Sequence, residues 1–421
     1  RTVHTGLLEY KNVYRPARVI SYDKESGELV LHNYMDFDNL KDYVKISYEL
    51  TQDGLLIGKG KLAEVSVVPH SEGKTNLQVN VPENGKCYLK LIYHLKKEMP
   101  LLEEDYILGF DEIEVSQKDA KCQLAEKWVE KTVTDSELQV SEDDTQIHIK
   151  GREFAYTIDR RTALFTEMKF AGREYLNHPM ELNIWRAPTD NDMYIKSEWK
   201  KAHYDKAYTR AYTTEVVQGK HGVKITSHAS VVAETVQKIL DVTITWKIEA
   251  AGKIDADIAV TKDDEFPDLP RFGVRMFLDK KLSAARYFGM GPQESYCDKH
   301  QAASHGLYQA NVDDLHEDYI RPQENGSHYD CEYVELNNSR YGIVVSAENA
   351  FSFNASYYTQ EELEKKTHNY ELTESDSVVF CVDYALNGIG SNSCGPVVLE
   401  QYRFDDVLFR FQFTLIPYVK G

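Results

Sequence analysis

The sequence lacks several features that would mark particular classes of protein. It has no apolar run of about 18 residues, the length a helix needs to span a bilayer, and residues 1–4 carry no signal-peptide core. Basic residues are few, 49 Lys and Arg against 68 Asp and Glu, so the formal net charge is −19. That charge repels nucleic-acid phosphates and anionic lipids. We therefore expect neither nucleic acid nor a membrane as a partner, and a cytoplasmic location with the periplasm as the alternative.

Cysteine and the familiar catalytic motifs are also scarce. The chain has no Cys-x-x-Cys pair, no cysteine at metal-ligand spacing from histidine, and no His-Glu-x-x-His, Gly-x-Ser-x-Gly or phosphate loop. These absences argue against zinc or serine hydrolysis and against nucleotide binding, and they predict no metal and no cofactor in this chain. The initiator Met is missing as well, which indicates a processed chain or a piece of a longer protein. Six cysteines, expected to be reduced thiols, are scattered along the chain: Cys87, Cys122, Cys297, Cys331, Cys381 and Cys394.

Period-two alternation of apolar residues is the main signal of structure. Val44, Ile46 and Leu50 alternate with polar residues until the turn signal Asp53-Gly54, and the pattern returns strongly over residues 240–260. A chain of 421 residues is long enough for two cores. We predict an all-β protein with an immunoglobulin-like β-sandwich over residues 1–115, a polar linker or peripheral strand over 116–139, and a larger β domain over 140–421.

Only two stretches have a helical pattern. Residues 197–208 and 360–368 are each long enough for two or three turns, and Thr359 is a suitable N-cap for the second. We expect both helices to lie on loops between strands. No internal repeat of 20 to 50 residues is present, which disfavours a propeller or a solenoid.

Two related stretches, residues 287–298 and 319–326, combine Pro-Gln-Glu with glycine and aromatic residues. Gly289 and Gly291 permit positive φ, and the prolines restrict φ just before a carboxylate. The pattern is compatible with a sugar-binding surface on which a carboxylate, an amide and an aromatic ring point toward the same place. The alternative, favoured by the chemistry alone, is a pair of structured turns with acidic side chains.

The carboxylates of these stretches, Glu294 and Glu324, are candidates for a general acid and base. A retaining glycosidase needs two carboxyls about 5 Å apart, but spacing in sequence cannot select such a pair among 68 acids. Four histidines near the glycine-rich stretches are candidate proton shuttles. They are His300, His305, His328 and His368.

Residues 185–192 place an indole, a guanidinium, two carboxylates and an amide around one proline. Trp185 is suited to stacking on a sugar ring, and Asp190 and Asp192 to binding sugar hydroxyls or a hard cation. The alternative is that Arg186 pairs internally with one of these aspartates and holds the loop, because buried charges are usually paired.

The loop over residues 387–396 has the most unusual composition in the chain, with three glycines, small polar residues and a terminal proline. Such a loop makes a tight excursion between strands and exposes its backbone to a ligand. Cys394 is either a reactive thiol or a small residue that fits a crowded turn. No basic residue lies beside it in sequence to lower its pKa, which favours the second interpretation.

As a set, and in order along the chain, these motifs resemble the C-terminal part of the large bacterial β-galactosidases of glycoside hydrolase family 2. Residues 9–34 also resemble the opening of the immunoglobulin-like domain that precedes the last domain in that family, so the resemblance covers essentially the whole chain. The motifs that carry it are residues 185–192, 287–296, 322–326 and 388–393.

The resemblance implies a final domain similar to galactose mutarotase, a large β-supersandwich. It places both catalytic glutamates, with magnesium and sodium, in a (β/α)₈ barrel outside this chain, which leaves no catalytic residue here and predicts that the chain alone is inactive. The implied partners are that barrel, the N-terminal domains, a galactoside such as lactose and further copies of the enzyme. In the family an aromatic residue of the last loop lines the sugar pocket. Here Ser393 and Cys394 are the pocket candidates, and Cys394 stands where the ring is expected.

Two other functions are compatible with the sequence. One is a stand-alone carbohydrate-binding or structural module. The other is a mutarotase-like isomerase that uses a histidine and a glutamate for proton transfer at the anomeric centre.

Overall fold

The computed structural model describes residues 3–116 and 138–420. These residues form two compact units. The first contains residues 3–116 with Met290–Pro292 and His300–Leu307, and the second contains residues 138–289, Gln293–Lys299 and residues 308–420. The predicted linker over 116–139 lies almost wholly outside the described residues.

Two antiparallel sheets form the body of the first unit, in the orders β1-β2-β5 and β4-β3-β6-β7. Leu31 of one sheet and Ile46 and Leu91 of the other belong to a single buried cluster, so the sheets pack as a β-sandwich. The elements are β1 Ala17–Tyr22, β2 Glu28–Asn33, β3 Val44–Gln52, β4 Leu55–Lys61, β5 Glu72–Asn76, β6 Cys87–Leu95, β7 Ile107–Ser116, and the helices α1 Thr5–Val13 and α2 Leu40–Tyr43.

The β3–β4 hairpin turns where the sequence predicts. Asp53 and Gly54 have φ of 48° and 78°. Positive φ at both central residues is the mark of a type I′ turn, whose twist matches that of the flanking strands. The Asp53 Oδ1 also accepts a hydrogen bond from the Lys86 backbone N at 2.9 Å, which ties the turn to the residue that precedes β6.

Residues 138–420 contribute seventeen further strands. A five-stranded sheet has the order β12-β11-β10-β9-β8, and a larger sheet follows β13-β18-β23-β22-β24-β17-β16-β15-β14, with β19, β20 and β21 joined off this path. The strands are β8 Gln139–Glu142, β9 Gln146–Lys150, β10 Phe154–Asp159, β11 Leu164–Phe170, β12 Arg173–Glu174, β13 Leu176–Asn183, β14 Tyr208–Gln218, β15 Gly222–Val232, β16 Leu240–Glu249, β17 Ile254–Lys262, β18 Arg271–Asp279, β19 Ala284–Gly291, β20 Ser304–Asn311, β21 Ser327–Asn337, β22 Tyr341–Ser356, β23 Ser377–Leu386 and β24 Leu408–Val419.

One hydrophobic core joins the two sheets of the second unit. The alternate residues of β16 that the sequence marks as apolar are all buried, and Trp246 meets Phe165 of the smaller sheet edge-on at 4.9 Å. Burying an aliphatic or aromatic side chain of this size stabilises the fold by roughly 1.5–3 kcal/mol. The indole N–H of Trp246 donates to the Ala163 carbonyl at 2.8 Å, so its polar atom is satisfied. The all-β prediction is confirmed.

Helices are short, and the two that the sequence predicts lie between strands, whereas α1, which precedes β1, and α2 were not predicted. The first predicted helix is shorter than expected: α3 spans Ile195–Lys201 and ends before His203, whose φ of 57° is left-handed. The second, α4, spans Gln360–Lys365, and the Thr359 hydroxyl caps it by accepting from the Glu362 backbone N at 3.1 Å. Short 3₁₀ helices lie at Asp190–Asp192, Tyr204–Lys206, Val312–Leu315, Asn369–Glu371 and Glu400–Tyr402.

A membrane-crossing helix would have to be long and continuously apolar, and none of the helices in the described residues meets both conditions.

Candidate functional site

Arg186 lies at the centre of a cluster in the second unit that brings the sequence motifs together. Its side chain is fully buried and forks onto Asp192, with Nη2 to Oδ1 at 2.7 Å and Nε to Oδ2 at 3.1 Å. The same guanidinium donates to the carbonyl oxygens of Asn387 at 2.5 Å and Gly388 at 3.1 Å. Burial opposes its charge, but Asp192, with smaller contributions from Glu324 and Tyr296, outweighs burial and raises the pKa of Arg186. Arg186 therefore fixes the start of the 387–396 loop.

The carboxylate of Asp192 is fully committed to the protein. Besides Arg186, it accepts a hydrogen bond from the Thr189 backbone N at 2.8 Å, which closes the turn at Asp190–Asp192. The hard-cation interpretation of this motif does not fit, because both oxygens of Asp192 already have donors. Within residues 3–116 and 138–420, no group of three or more His, Cys, Asp or Glu side chains is arranged to hold a metal ion.

Two further side chains hold the 387–396 loop. The Asp298 carboxylate accepts from the backbone N of Ile389 at 2.9 Å and of Gly390 at 2.7 Å. The Asn191 amide donates to the Gly390 carbonyl at 2.6 Å and accepts from the Ser393 hydroxyl at 2.7 Å. Gly390 has φ of +67°, so the loop needs a glycine there. The sequence marked the motifs that contain Asn191 and Asp298 but assigned neither residue a role.

The tip of the loop is accessible although its base is held. Ser393 and Cys394 are both exposed, and Cys394 is the exposed one among the five described cysteines. Burial, by contrast, raises the pKa of Cys297 and of Cys381 to about 12. Cys394 is therefore the described thiol most open to a reagent or a ligand.

Glu294 joins the two Pro-Gln-Glu stretches and is buried. Its carboxylate accepts from the Lys299 ammonium at 2.5 Å, from the Gly326 backbone N at 2.9 Å, and from the hydroxyls of Tyr319 and Tyr296. Burial opposes ionisation, but Lys299, Tyr319 and the Gly326 backbone together outweigh burial and lower the pKa of Glu294. Burial also opposes the charge of Lys299, but Glu294 and Tyr319 together raise the Lys299 pKa. A carboxylate held by four donors is an anchor and is unsuited to proton transfer.

Glu324 is buried in a second ion cluster. Its Oε1 lies 3.2 Å from Nη1 of Arg271, and Arg271 also forks onto Asp383 with contacts of 2.6 and 3.1 Å. The Glu324 backbone N donates to the Ala187 carbonyl at 2.9 Å, which connects this stretch to the Arg186 motif. Burial raises the pKa of Glu324, and the nearby arginines only partly offset that effect. Arg271 and Asp383 were missed in the sequence, where they sit inside ordinary strand patterns.

Trp185 and Asp190 lie in different surroundings although they are close in sequence. Trp185 is 3% exposed, meets Trp199 edge-on at 6.2 Å and has the Lys200 ammonium 4.7 Å from its ring centre. It is a core residue, so its ring is not available to stack on a sugar as the sequence suggests. Asp190 is exposed, and its backbone N donates to the Gln323 side chain at 3.1 Å.

The glycines of the first Pro-Gln-Glu stretch act differently from the expectation. Gly289 and Gly291 both lie in β19, and neither has positive φ. A Cβ at Gly289 would come within 2.3 Å of the Cys331 sulfur and 2.8 Å of its Cα. Glycine is needed at this position for close packing of β19 against β21.

The candidate histidines are held in separate environments. His300 and His305 belong to the first unit, where the His305 Nδ1 lies 2.7 Å from a Glu112 carboxylate oxygen. In the second unit His328 is buried and stacks on Phe353 with ring centres 5.0 Å apart, whereas His368 lies beside a 3₁₀ helix.

Comparison with known proteins identifies relatives along nearly the whole chain. The family described as "Beta galactosidase small chain" matches residues 150–415, and "Beta-galactosidase, domain 4" matches residues 29–116. The β-galactosidase of Actinobacillus pleuropneumoniae is 42% identical over 418 residues, which is 99% of this chain and 40% of that protein. The β-galactosidase of Staphylococcus xylosus is 30% identical over 421 residues, 99% of this chain and 41% of that protein.

Among solved structures, the galactose 1-epimerase from Lactobacillus acidophilus NCFM aligns with 69% of this chain and 100% of its own, with a TM-score of 0.37 and 9% identity.

This chain spans about two fifths of the length of the β-galactosidases from Actinobacillus pleuropneumoniae and Staphylococcus xylosus.

Proposed function

Since this chain belongs to the β-galactosidase small-chain family, we propose that it is the C-terminal part of a retaining enzyme that hydrolyses terminal β-D-galactosides such as lactose. In this proposal the catalytic carboxylates, with magnesium and sodium, lie in the part of the enzyme outside this chain, and the full-length enzyme is a cytoplasmic homo-oligomer. The observation that carries the proposed role is the 387–396 loop, which has an anchored base and an exposed tip at Ser393 and Cys394.

The chain supplies positioning rather than proton transfer. A retaining mechanism needs one carboxyl as acid/base and a second as nucleophile, both in contact with the sugar. Glu294 and Glu324 are buried and occupied by Lys299 and Arg271, so neither is available for those roles. What remains for this chain is to hold a wall of the sugar site at a fixed place, and accurate positioning contributes substantially to rate.

Three side chains hold the wall. Arg186 binds two carbonyl oxygens at the start of the loop, Asp298 binds two backbone N–H groups, and Asn191 binds the Ser393 hydroxyl. Because that hydroxyl donates its proton to Asn191, its oxygen is left to accept a hydrogen bond from a sugar hydroxyl. Cys394 adds a small side chain beside it, which leaves room for a bulky leaving group.

Alkylation of Cys394 in the full-length enzyme tests the proposal. A small thiol reagent is expected to slow hydrolysis of a chromogenic galactoside, and galactose is expected to protect Cys394 from the reagent, as followed by peptide mass spectrometry. Cys394→Ser is the matched control and should make activity insensitive to the reagent. Labelling of Cys394 at one rate with and without galactose, with full activity retained, would contradict the role of the loop.

A further inference from the structure

A cavity of about 460 Å³ lies in the second unit, where β21, β22 and β23 depart from regular pairing. Its size is within the range of roughly 300–1,000 Å³ that is usual for small-molecule sites. The side chains that matter for its chemistry are Tyr329, Asp330, Asn349, Tyr384, Gln401 and Asp406. No role in the proposed function above depends on any of them.

Irregularities in three strands bring four of these residues, Tyr329, Asp330, Asn349 and Tyr384, to the cavity, whereas Gln401 and Asp406 come from the segment before β24. In β21, His328 and Cys331 face Phe353 and Phe351, so Tyr329 and Asp330 together oppose one residue of β22. Asp330 accordingly has φ of +53°, and Ser295 holds the bulge by accepting from the Tyr329 backbone N at 2.9 Å.

The other two strands show the same behaviour. In β22, residues 347–350 form an excursion that includes Asn349, because Phe351 faces Cys331 whereas Ser346 faces Tyr333. In β23, Tyr384 is the extra residue of a bulge opposite β18. Bulges redirect side chains and are common beside binding sites. Three such irregularities around one cavity indicate that the fold directs these side chains into its lining.

Tyr384 gives the cavity a rigid aromatic wall. Its ring stacks on Phe409 with centres 4.8 Å apart and an interplanar angle of 17°, and Phe404 packs beside it at 5.8 Å. A tyrosine supported in this way offers a large apolar face with little loss of side-chain entropy on binding. The C–H face of a sugar ring is a suitable partner for such a surface.

The polar groups of the cavity favour a neutral, hydroxyl-rich ligand over an anion. Asp330 and Asp406 supply carboxylate acceptors, and burial together with Asp405 raises the pKa of Asp406. Two arginines also line the cavity: Arg410 forks onto Asp257, and the Arg403 Nε donates to the Val398 carbonyl at 3.1 Å. Carboxylates accept hydrogen bonds from hydroxyl groups and repel phosphate, while the side-chain amides of the cavity serve hydroxyls as both donor and acceptor.

We propose that this cavity is a saccharide site that takes a neutral hexopyranose such as galactose, stacked on Tyr384 with its hydroxyls bonded to Asp330 and Asp406. The inference goes beyond the function proposed above and does not depend on the loop tip at Ser393 and Cys394.

Titration of the 421-residue chain with galactose, followed by ligand-observed NMR or calorimetry, tests the site. We expect saturable binding that Tyr384→Ala abolishes. Asp330→Asn should weaken binding about tenfold, because a hydrogen bond to a charged acceptor is replaced by a neutral one. Tyr212→Ala is the matched control, since Tyr212 is 57% exposed on β14 outside the cavity, and it should bind galactose normally.

Asparagine tolerates the left-handed φ of residue 330, so Asp330→Asn should keep the fold. This variant therefore tests the site even if Tyr384→Ala weakens the packing on Phe409. The proposal is overturned if the wild-type chain shows no saturable galactose binding, if inorganic phosphate binds more tightly than galactose, or if Asp330→Asn binds as well as wild type. Failure of the Cys394 labelling experiment in the full-length enzyme would leave this result unaffected, so the two proposals fail separately.

Discussion

Buried charge at single residues holds together the motifs that the sequence marks. Glu294 and Lys299 form an ion pair in which each keeps the other charged despite burial. Arg186 forms a buried ion pair with Asp192, and Arg271 forms buried ion pairs with Glu324 and Asp383, which hold the neighbouring stretches. Removing one partner of such a pair leaves an uncompensated charge in the interior, which costs about 3–5 kcal/mol.

Lys299→Met should therefore lower the free energy of unfolding of the chain by about 3–5 kcal/mol near neutral pH. The folded-state pKa of Glu294 is lowered, so its contribution is present above the unfolded-state pKa and is lost as pH falls through the folded-state value. The pKa of Lys299 is raised, so its contribution is present below the unfolded-state pKa and is lost as pH rises through the folded-state value. The difference between wild type and variant should thus shrink in acid.

Urea unfolding of both proteins at several pH values measures that difference. Glu294→Gln and the double variant complete a double-mutant cycle, which isolates the coupling of the pair from the loss of each side chain. A difference that stays constant from neutral to acid pH would show that the ion pair is not the source of the stability.

Elements are positioned by close backbone approach as well as by charge. Gly289→Ala in β19 places a Cβ against the backbone and sulfur of Cys331, and we expect it to destabilise the chain by roughly 1–3 kcal/mol. Gly6→Ala is the control, because nothing lies within 4 Å of a Cβ at this position of α1 and alanine favours a helix. Thermal unfolding of the two variants compares them. Equal stability of Gly289→Ala and wild type would contradict the packing role of Gly289.

The 387–396 loop depends on Asp298 for its conformation. Asp298→Ala leaves the N–H groups of Ile389 and Gly390 without their acceptor, so both amides should exchange with solvent faster, by about tenfold if one hydrogen bond's worth of local stability is lost. Asp190→Ala provides the comparison, since Asp190 is an exposed aspartate of the same cluster. Hydrogen exchange followed by mass spectrometry measures the exchange rates of the loop amides. Unchanged exchange in Asp298→Ala would contradict the role of Asp298 in holding the loop.

For the whole molecule, the sequence predicts the fold well and the site only in part. Alternation with period two reveals strands such as β3 and β16 because side chains on a strand alternate between two faces. The Gly/Pro motifs mark the loops that meet around Arg186. Partners such as Arg271 and Asp383 are 112 residues apart, and nothing local in either strand indicates the pairing. The bulge at Tyr384 is hidden for the same reason, because register depends on the neighbouring strand.

The expectations that fail share one physical cause. The residue types suggest that Trp185 stacks on a sugar ring and that Gly289 adopts positive φ. In the structure, packing takes precedence at both positions: the indole lies in the core, and the glycine admits Cys331. The sequence motifs point to the residues that are important for this region, but whether each side chain is buried determines its role.

The central claim is that the 387–396 loop forms a wall of the sugar site in the full-length enzyme. Kinetics of Cys394→Trp toward a series of galactosides with different leaving groups test it most directly. An added ring contributes on the order of 1 kcal/mol by stacking, so kcat/KM should change about fivefold for some galactosides relative to others while stability changes little. Wild-type kinetics of Cys394→Trp toward every galactoside in the series would contradict the claim.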